Sequence, residues 1–209
     1  GLIQESDNLP ELPTQFGKFG PGDIKYVDIS GPDGKPDGII NATYDRRIFG
    51  NTYPRKTYSI NLTAEYEGFD ASIFLRGVGE IYKVISGVSR NAFAINSGVQ
   101  SWQMDHWTPQ NPDATYPRYT FSNTNNQQES SYWMRNASYF RLGNIQLGYS
   151  MPRRLLQSTF IRSCRVYLSG QDILTFDRFY PGFDPENAEG SGNSYPFSAL
   201  YTVGVNVSF

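Results

Sequence analysis

Three carboxylates spaced along residues 28–38 (DISGPDGKPDG) are the first side chains that could bind a ligand. They belong to Asp28, Asp33 and Asp37. A calcium loop needs hard oxygen ligands at alternate positions and a glycine at its sharp turn, and this composition offers both. The spacing is imperfect, because counting from Asp28 puts Pro32 at a ligand position and counting from Asp33 puts Lys35 there. A bound Ca²⁺ is therefore one interpretation, and a Gly/Asp/Pro turn without a metal is the favoured one.

Aromatic side chains among Asn, Gln and Pro form a second candidate site. They are Trp102, Trp107, Tyr116, Tyr119, Tyr132 and Trp133. Such rings could stack on a sugar, grip a peptide or contact a protein that covers them. The alternative, which is favoured, is that they pack a long loop into a stable unit, since a loop of this length requires its own packing.

The sequence shows no combination of residues that is typical of a catalytic site. His106 is the only histidine and Cys164 the only cysteine, so catalytic triads and zinc sites have little to build on. The sequence has no G-x-S-x-G motif, and no carboxylate pair stands out for glycoside hydrolysis. The net charge of −2 gives no reason to expect nucleic acid. We therefore expect neither an enzyme nor a nucleic-acid-binding protein, and we assign no catalytic residue.

Strict alternation of apolar and polar residues predicts the elements that position these side chains. The last ten residues (LYTVGVNVSF) predict a strand, and residues 57–79 predict a β-hairpin with a tight turn at Gly68. Further strands are predicted over 137–151 and 163–176, and a short one over 23–28. The phase of the alternation changes at Gly143, which predicts a β-bulge there.

Each predicted strand has one apolar face and one small, polar face. Polar faces rich in Ser, Thr, Asn and Gly suit the wall of a water-filled lumen, while the apolar faces suit lipid. Five polar side chains are predicted to face such a lumen: Asn61, Glu65, Arg76, Gln146 and Gln171. They could line the path of a polar solute, although contact with a plug inside the barrel or plain hydration of the lumen is the favoured interpretation. Aromatic residues recur at both ends of the apolar faces, as in the girdles of membrane barrels.

The connections between the predicted strands alternate between long and short. This asymmetry is typical of outer-membrane barrels, which have long external loops and short periplasmic turns. We divide the chain into an extracellular loop segment (1–56), a barrel hairpin (57–79), a long extracellular loop (80–136) and three barrel strands (137–209). Five strands cannot close a barrel, since single-chain barrels start at about eight. We therefore expect this chain to be the C-terminal segment of a larger protein.

Several long blocks of sequence resemble the SusC-like (RagA-like) TonB-dependent outer-membrane transporters of Bacteroidetes. They are PGDIKYVDISGPDGKPDG (21–38), TYSINLTAEYEGFDASIFLRGV (57–78), WTPQNPDATYPR (107–118), YWMRNASYFRLGNIQLGYSMP (132–152), RVYLSGQDILTF (165–176), YPGFDPE (180–186) and LYTVGVNVSF (200–209). The resemblance covers nearly the whole chain, and these blocks occur in the order of the family.

The resemblance implies that the chain supplies the last five antiparallel strands of a 22-stranded transmembrane β-barrel in the outer membrane. It implies import of oligosaccharides or oligopeptides under a SusD-like lipoprotein lid, with energy from TonB through an N-terminal part that this chain lacks. Phe209 resembles the signal that is read by the barrel-insertion machinery. The alternative is a secreted β-sandwich module that binds glycans or peptides. A sandwich is less favoured, because its outer faces would carry charged residues.

Overall fold

The computed structural model describes residues 1–121, 123–187, 190–191 and 197–209. Its main element is an antiparallel sheet of five strands in the order β1-β2-β5-β6-β7. These strands are Lys56–Tyr66 (β1), Phe69–Gly79 (β2), Tyr139–Ser150 (β5), Ser163–Asp177 (β6) and Leu200–Ser208 (β7). A two-stranded sheet pairs Tyr82–Val84 (β3) with Met134–Asn136 (β4). The fold is therefore all-β apart from short helical turns.

The helical segments are all three or four residues long. Two are α-helical turns, Gly87–Arg90 (α1) and Arg153–Leu156 (α2). The others are 3₁₀ turns at Leu9–Glu11, Ala94–Asn96, Ser101–Gln103 and Ser131–Trp133. In the part of the chain that the structure describes, no helix has the length and apolar character needed to cross a membrane.

The β1–β2 hairpin has the tight turn that was predicted at Gly68. Tyr66 pairs directly with Phe69, so Glu67 and Gly68 form a two-residue loop. Both loop residues have positive φ angles, 47° and 90°, as a type I′ turn requires. This turn type matches the right-handed twist of paired strands, so it fixes the register of the hairpin.

The bulge predicted at Gly143 is confirmed. Leu142 pairs with Leu75 and Asn144 pairs with Phe74, which leaves Gly143 without a partner on β2. The neighbouring strand β6 bulges opposite this point, since its pairing jumps from Leu174 to Gln171. The extra residue restores the alternation, so apolar residues on either side of the bulge share one face of the sheet.

The register gives the sheet two chemically different faces. Apolar side chains align across the strands in rows such as Leu62–Ile73–Ile145 and Ala71–Leu147–Leu168. This face is exposed at its outer strands and half-buried in its centre; Leu168 is 55% and Val203 72% accessible to solvent, while Ile73 and Ile145 are half-buried. Aromatic rows border it, with Tyr66, Phe69 and Tyr149 at the short-turn end. No other strand or helix of the described residues covers this apolar face.

The long loops pack together around a separate core beyond one end of the sheet. Its buried members are Ile24, Ile85, Ala92, Tyr116, Trp133 and Tyr180. They come from the segment before β1, from the connection between β2 and β5, and from the loop after β6. The three connections therefore form one packed unit.

The prediction of a short strand over residues 23–28 is wrong. Only Ile24 forms an isolated bridge there, with Leu2. Side-chain amides replace the missing strand partner, because Asn126 Oδ1 accepts from the Ile24 backbone at 2.8 Å and Asn125 Nδ2 donates to the Ile24 carbonyl at 2.9 Å. The backbone is satisfied without a ladder, so the segment stays extended but unpaired.

Candidate functional site

All five side chains predicted to face a lumen lie on the polar face of the sheet. The rows that contain them are Ser59–Arg76–Arg141, Asn61–Phe74–Asn144–Gln171, Thr63–Ser72–Gln146 and Glu65–Asp70–Gly148. Strand register, with the bulge at Gly143, brings these residues to one surface from positions far apart in the chain. Whether this surface borders a lumen remains a prediction.

A cluster of charged groups forms on the polar face near the long-loop end. Arg141, whose side chain is only 1% exposed, donates to Asp184 Oδ2 at 2.6 Å and to Glu186 Oε2 at 3.0 Å. Arg76 donates to Glu186 Oε1 at 2.8 Å and to Asp172 Oδ1 at 3.1 Å. Glu186 thus bridges two arginines on two neighbouring strands.

The β6 bulge and the loop after β6 supply the acidic members of this cluster. Asp172 adopts a positive φ of 51°, which occurs where β6 departs from regular pairing. Asp184 and Glu186 lie in the YPGFDPE block, and Lys83 of β3 donates to the Pro185 carbonyl at 2.6 Å from the other side. The loop is therefore held over the polar face of the sheet by ion pairs and backbone contacts.

Sequence reasoning identified Arg76 but missed the other four members of the cluster, Arg141, Asp172, Asp184 and Glu186. Two signals pointed to the acidic members: the interrupted alternation of β6 at Asp172, and the acids within YPGFDPE. Neither signal gives the distance between these groups, because the register and the path of the loop determine it.

A second ion pair crosses the polar face near the short-turn end. Arg165 of β6 reaches over β5 and donates through Nε to Asp70 Oδ1 at 2.8 Å, with Nη2 on the other carboxylate oxygen. Gly148 lies beneath this bridge, and a Cβ there would come within 2.5 Å of both side chains. The glycine is therefore required for the close approach of the pair.

The predicted aromatic site is largely a packed core. Trp133 is 1% exposed, Trp107 and Tyr116 are also buried, and the other three rings are partly buried. Each polar atom of the six rings bonds within the chain; the partners are Gln100, Gln4, Arg90, Gln103, Thr115 and Asn126. These contacts favour the packing interpretation, while ligand contact by any of the rings remains a prediction.

Tyr116 is the most fully hydrogen-bonded of these phenols. Its hydroxyl donates to the Arg90 carbonyl at 2.7 Å and accepts from the Ala92 backbone at 3.0 Å. Burial raises the pKa of Tyr116 to about 12. Burial likewise raises the pKa of Tyr132, and it lowers the pKa of Lys83. The uncharged forms are favoured because these groups are partly removed from water.

Asp23 ties the first segment to the loop that precedes β4. Its buried carboxylate accepts two bonds from Arg118, at 2.9 and 2.8 Å. It also accepts from Asn123 and Asn126, at 2.8 and 2.9 Å. A fully buried carboxylate is stable only with such a set of donors, so the Asp23 carboxylate holds the first segment against this loop.

The three carboxylates of the predicted calcium loop do not converge. Asp28 Oδ2 accepts from the Gly38 backbone at 2.6 Å, and Asp37 Oδ1 accepts from the Ile39 backbone at 2.9 Å. Asp45, which sequence reasoning did not consider, accepts three backbone bonds in the same loop. Among the described residues no group of three metal-ligating side chains is present. This geometry favours the turn interpretation, and a Ca²⁺ bound through Asp28, Asp33 and Asp37 remains a prediction.

A cavity of about 960 Å³ lies between the first segment and the residues that precede β4. Its lining includes Tyr26, Arg46, Arg47, Phe49 and Tyr132. Tyr132 is therefore the predicted ligand-contacting ring that borders a sizeable space. Asp28, Asp45 and Glu129 also line this cavity, so its mixed charges are suited to a polar ligand.

Phe209 follows β7 and is 68% exposed. Its ring stacks on Phe160 of the β5–β6 connection, with centroids 5.6 Å apart. Its role in membrane assembly remains a prediction.

Comparison with known sequences gives relatives over nearly the whole chain. No family model matches. The chain is 30% identical over 226 residues to TonB-dependent receptor P3 of Formosa agariphila, which covers 99% of this chain and 21% of that receptor. It is 29% identical over 198 residues to the TonB-dependent receptor SusC of Bacteroides thetaiotaomicron, which covers 88% of this chain and 19% of SusC. The chain thus spans about a fifth of the length of these curated relatives.

Solved structures of the RagAB transport system have a similar fold. The RagAB peptide transporter matches with a TM-score of 0.67 and 26% identity, over 86% of this chain and 20% of that chain. The RagAB peptide importer in its closed-closed state matches with a TM-score of 0.65 and 25% identity. The likeness extends over both the sheet and most of the loops, since it covers more residues than the strands contain.

Proposed function

We propose that this chain, a segment of a SusC-like TonB-dependent receptor, forms barrel wall and external loops of an outer-membrane nutrient importer. The observation that carries the proposal is the two-faced sheet. Its apolar face is exposed and bordered by aromatic rows, while its polar face carries the Arg76–Arg141 cluster. Lipid would contact the first face and water the second.

The size of the apolar face fits a membrane. Tyr58 and Tyr66 mark its ends on β1 and are eight residues apart. At about 3.3 Å per residue and a tilt of about 40°, this distance corresponds to a height of about 20 Å, close to the ~25 Å apolar band of such barrels. A sandwich would instead bury this face against a second sheet.

The complete receptor would close a 22-stranded barrel. The sheet has two open edges, at β1 and β7, whose backbone groups need partners in lipid. Strands outside this chain would pair with both edges. The part of the receptor beyond this chain would also supply the plug and the contact with TonB.

The packed loops would face outward and meet a SusD-like lipoprotein. Ligand would be captured beneath this lid, TonB would rearrange the plug, and the ligand would then diffuse past the polar face. The cargo would be an oligosaccharide or an oligopeptide, and the likeness to the RagAB peptide importer supports the oligopeptide. The cavity beside Tyr132 has both arginines and carboxylates in its lining, so it suits a polar cargo and does not select between the two classes.

The contribution of this chain to transport would be to line the path and to hold a loop above it. The Arg76–Arg141 cluster fixes the loop that contains Asp184 and Glu186 over the polar face. In a barrel this loop would narrow the outer end of the lumen. Polar side chains farther along the face, such as Asn61 and Gln146, would keep the path hydrated.

The decisive experiment measures which face of the sheet contacts lipid. Ile73 and Ser72 are neighbours on β2 that point to the apolar and the polar face. Each is replaced by cysteine in a full-length receptor without other cysteines, which includes Cys164→Ala, and is labelled with a fluorophore after reconstitution. Brominated lipid should quench the label at residue 73 and leave the label at residue 72 bright. Equal quenching at both positions, or at neither, would reject the barrel.

Arginine substitutions at the same two positions provide an independent test. Ile73→Arg should destabilise the folded barrel by about 2–4 kcal/mol, because position 73 lies in the middle row of the apolar face. Ser72→Arg should change stability little, since its side chain would reach water. Outer-membrane fractionation and heat-dependent gel migration report the amount of folded receptor in each strain.

A further inference from the structure

The short connection between β5 and β6 carries an unbalanced positive charge. Arg153, Arg154 and Arg162 are exposed within residues 152–162, and the chain has no acidic residue from 137 to 171. The ion pairs among the described residues involve other arginines. Three guanidinium groups therefore remain available on one short turn.

The same connection exposes large apolar side chains. Phe160 is 82% and Leu155 67% accessible, and Phe209 stacks on Phe160 from the end of β7. Leu156, by contrast, is buried. Basic groups beside exposed aromatic and aliphatic groups are typical of segments that lie in the headgroup region of a membrane.

The connection is a folded unit that presents these groups together. The Leu155 backbone donates to Pro152 at 3.0 Å, and Thr159 donates to Leu156 through both its backbone and its hydroxyl. The Arg162 backbone donates to the Ser208 carbonyl at 2.7 Å, which ties the connection to β7. The three arginines thus share one end of the sheet, next to the aromatic row of the short turns.

We propose that this connection binds the headgroups of anionic phospholipids in the membrane leaflet at the short-turn end of the barrel. The guanidinium groups would bind lipid phosphates through paired N–H donors, and the Phe160–Phe209 pair would insert among the upper acyl carbons. The site is continuous with the apolar face of the sheet, so the inference rests on the proposed barrel. Charge complementarity selects an anionic lipid over a zwitterionic one.

The test uses the full-length receptor reconstituted in a mixture of phosphatidylglycerol and phosphatidylcholine. Lipids that remain bound after transfer to detergent are identified by native mass spectrometry. The wild-type receptor should retain phosphatidylglycerol in preference to phosphatidylcholine. The variant R153Q/R154Q/R162Q should lose at least about tenfold of this preference, since each arginine near an anionic surface contributes about fivefold.

Two further variants control for charge and for folding. The variant R47Q/R55Q/R178Q removes three exposed arginines from the loops at the other end of the sheet and should keep the preference. The variant R153K/R154K/R162K keeps the charge but loses the paired donors, so its preference should be intermediate. If R153Q/R154Q/R162Q does not fold, R153K/R154K/R162K still tests the binding mode. A lipid preference in the lysine variant as large as that of the wild type would overturn the role of paired N–H donors.

The outcomes separate this inference from the proposed function. A receptor that does not insert into either lipid would reject the barrel itself. A receptor that inserts normally but shows the same lipid preference in the wild type and in R153Q/R154Q/R162Q would reject only the headgroup site. Inorganic phosphate that binds the lipid-free receptor, and is lost in R153Q/R154Q/R162Q, would assign the arginines to a soluble anion instead.

Discussion

Replacing Arg141 with methionine should release the loop that follows β6. The guanidinium of Arg141 is buried against Asp184 and Glu186, whose side chains are 14% and 29% exposed. Methionine fills a similar volume but leaves these two carboxylates without a buried cation. The strands of the sheet should keep their pairing, because the change affects side chains on the polar face rather than the backbone ladder.

The free-energy cost of Arg141→Met follows from the burial of the charge cluster. Removing one partner of a buried ion pair costs about 3–5 kcal/mol. We expect the lower limit, about 3 kcal/mol, because Arg76 still lies 2.8 Å from Glu186 and both carboxylates retain some contact with water. A loss of 3 kcal/mol corresponds to about a 150-fold larger population of the open loop.

Hydrogen–deuterium exchange of the full-length receptor measures this population directly. Peptides that cover residues 179–187 should exchange about 150-fold faster in R141M than in the wild type. Peptides from β5 and β6 should exchange at unchanged rates. In R141K exchange should be faster than in the wild type but slower than in R141M, because lysine keeps the positive charge but lacks the paired N–H donors of a guanidinium.

Arg178→Met is the matched control for this experiment. Arg178 is exposed beside the same loop, so its loss should change exchange by no more than about twofold. Unchanged exchange of residues 179–187 in R141M would refute the reasoning that the charge cluster holds the loop. Equal acceleration in R178M would show that charge alone, rather than burial, controls loop opening.

Three further predictions concern the loop core and its turns. Gly22→Ala should lower the free energy of unfolding by about 1–3 kcal/mol more than Gly34→Ala in denaturant titrations, because both have positive φ but only at Gly22 would a Cβ overlap a buried indole. Tyr116→Phe should cost about 1–2 kcal/mol at about pH 8, because two backbone groups lose their partner. The difference in unfolding free energy between the wild type and this variant should decrease by about 1 kcal/mol at about pH 11. The raised pKa of Tyr116 stabilises the wild type fully below pH 10, and this stabilisation is lost towards pH 12. A difference that stays constant with pH in thermal unfolding would contradict this assignment. A calcium chelator should leave the melting temperature unchanged, because Asp28 and Asp37 already accept backbone bonds, and a clear decrease would restore the calcium interpretation.

The alternation of apolar and polar residues predicted the sheet well, because successive side chains of a strand point to opposite faces that have different surroundings. This period predicted which face of its own strand each of five polar residues occupies, and the register then aligns them on one surface: Asn61, Glu65, Arg76, Gln146 and Gln171. The bulge at Gly143 was also visible, since a single extra residue reverses the phase of the pattern.

The charge cluster and the loop core could not be predicted in the same way. Arg76 and Glu186 are 110 residues apart, and nothing periodic connects them. The extended segment around Ile24 resembles a strand locally, but side-chain amides of Asn125 and Asn126 satisfy its backbone. Burial of Trp133 rather than exposure to ligand depends on how three loops pack, which no single segment encodes.

The long sequence separations within the Arg141 cluster also imply an order of events during folding. Arg76, Arg141 and Asp172 approach one another only after β2, β5 and β6 have paired in register. Contacts between distant residues form late, because the chain must first lose the entropy of every intervening loop. The loop that contains Asp184 and Glu186 would therefore close last. A sheet whose strands had paired in a slipped register could not bring both arginines to Glu186, so closure of this loop would report that neighbouring strands are correctly matched.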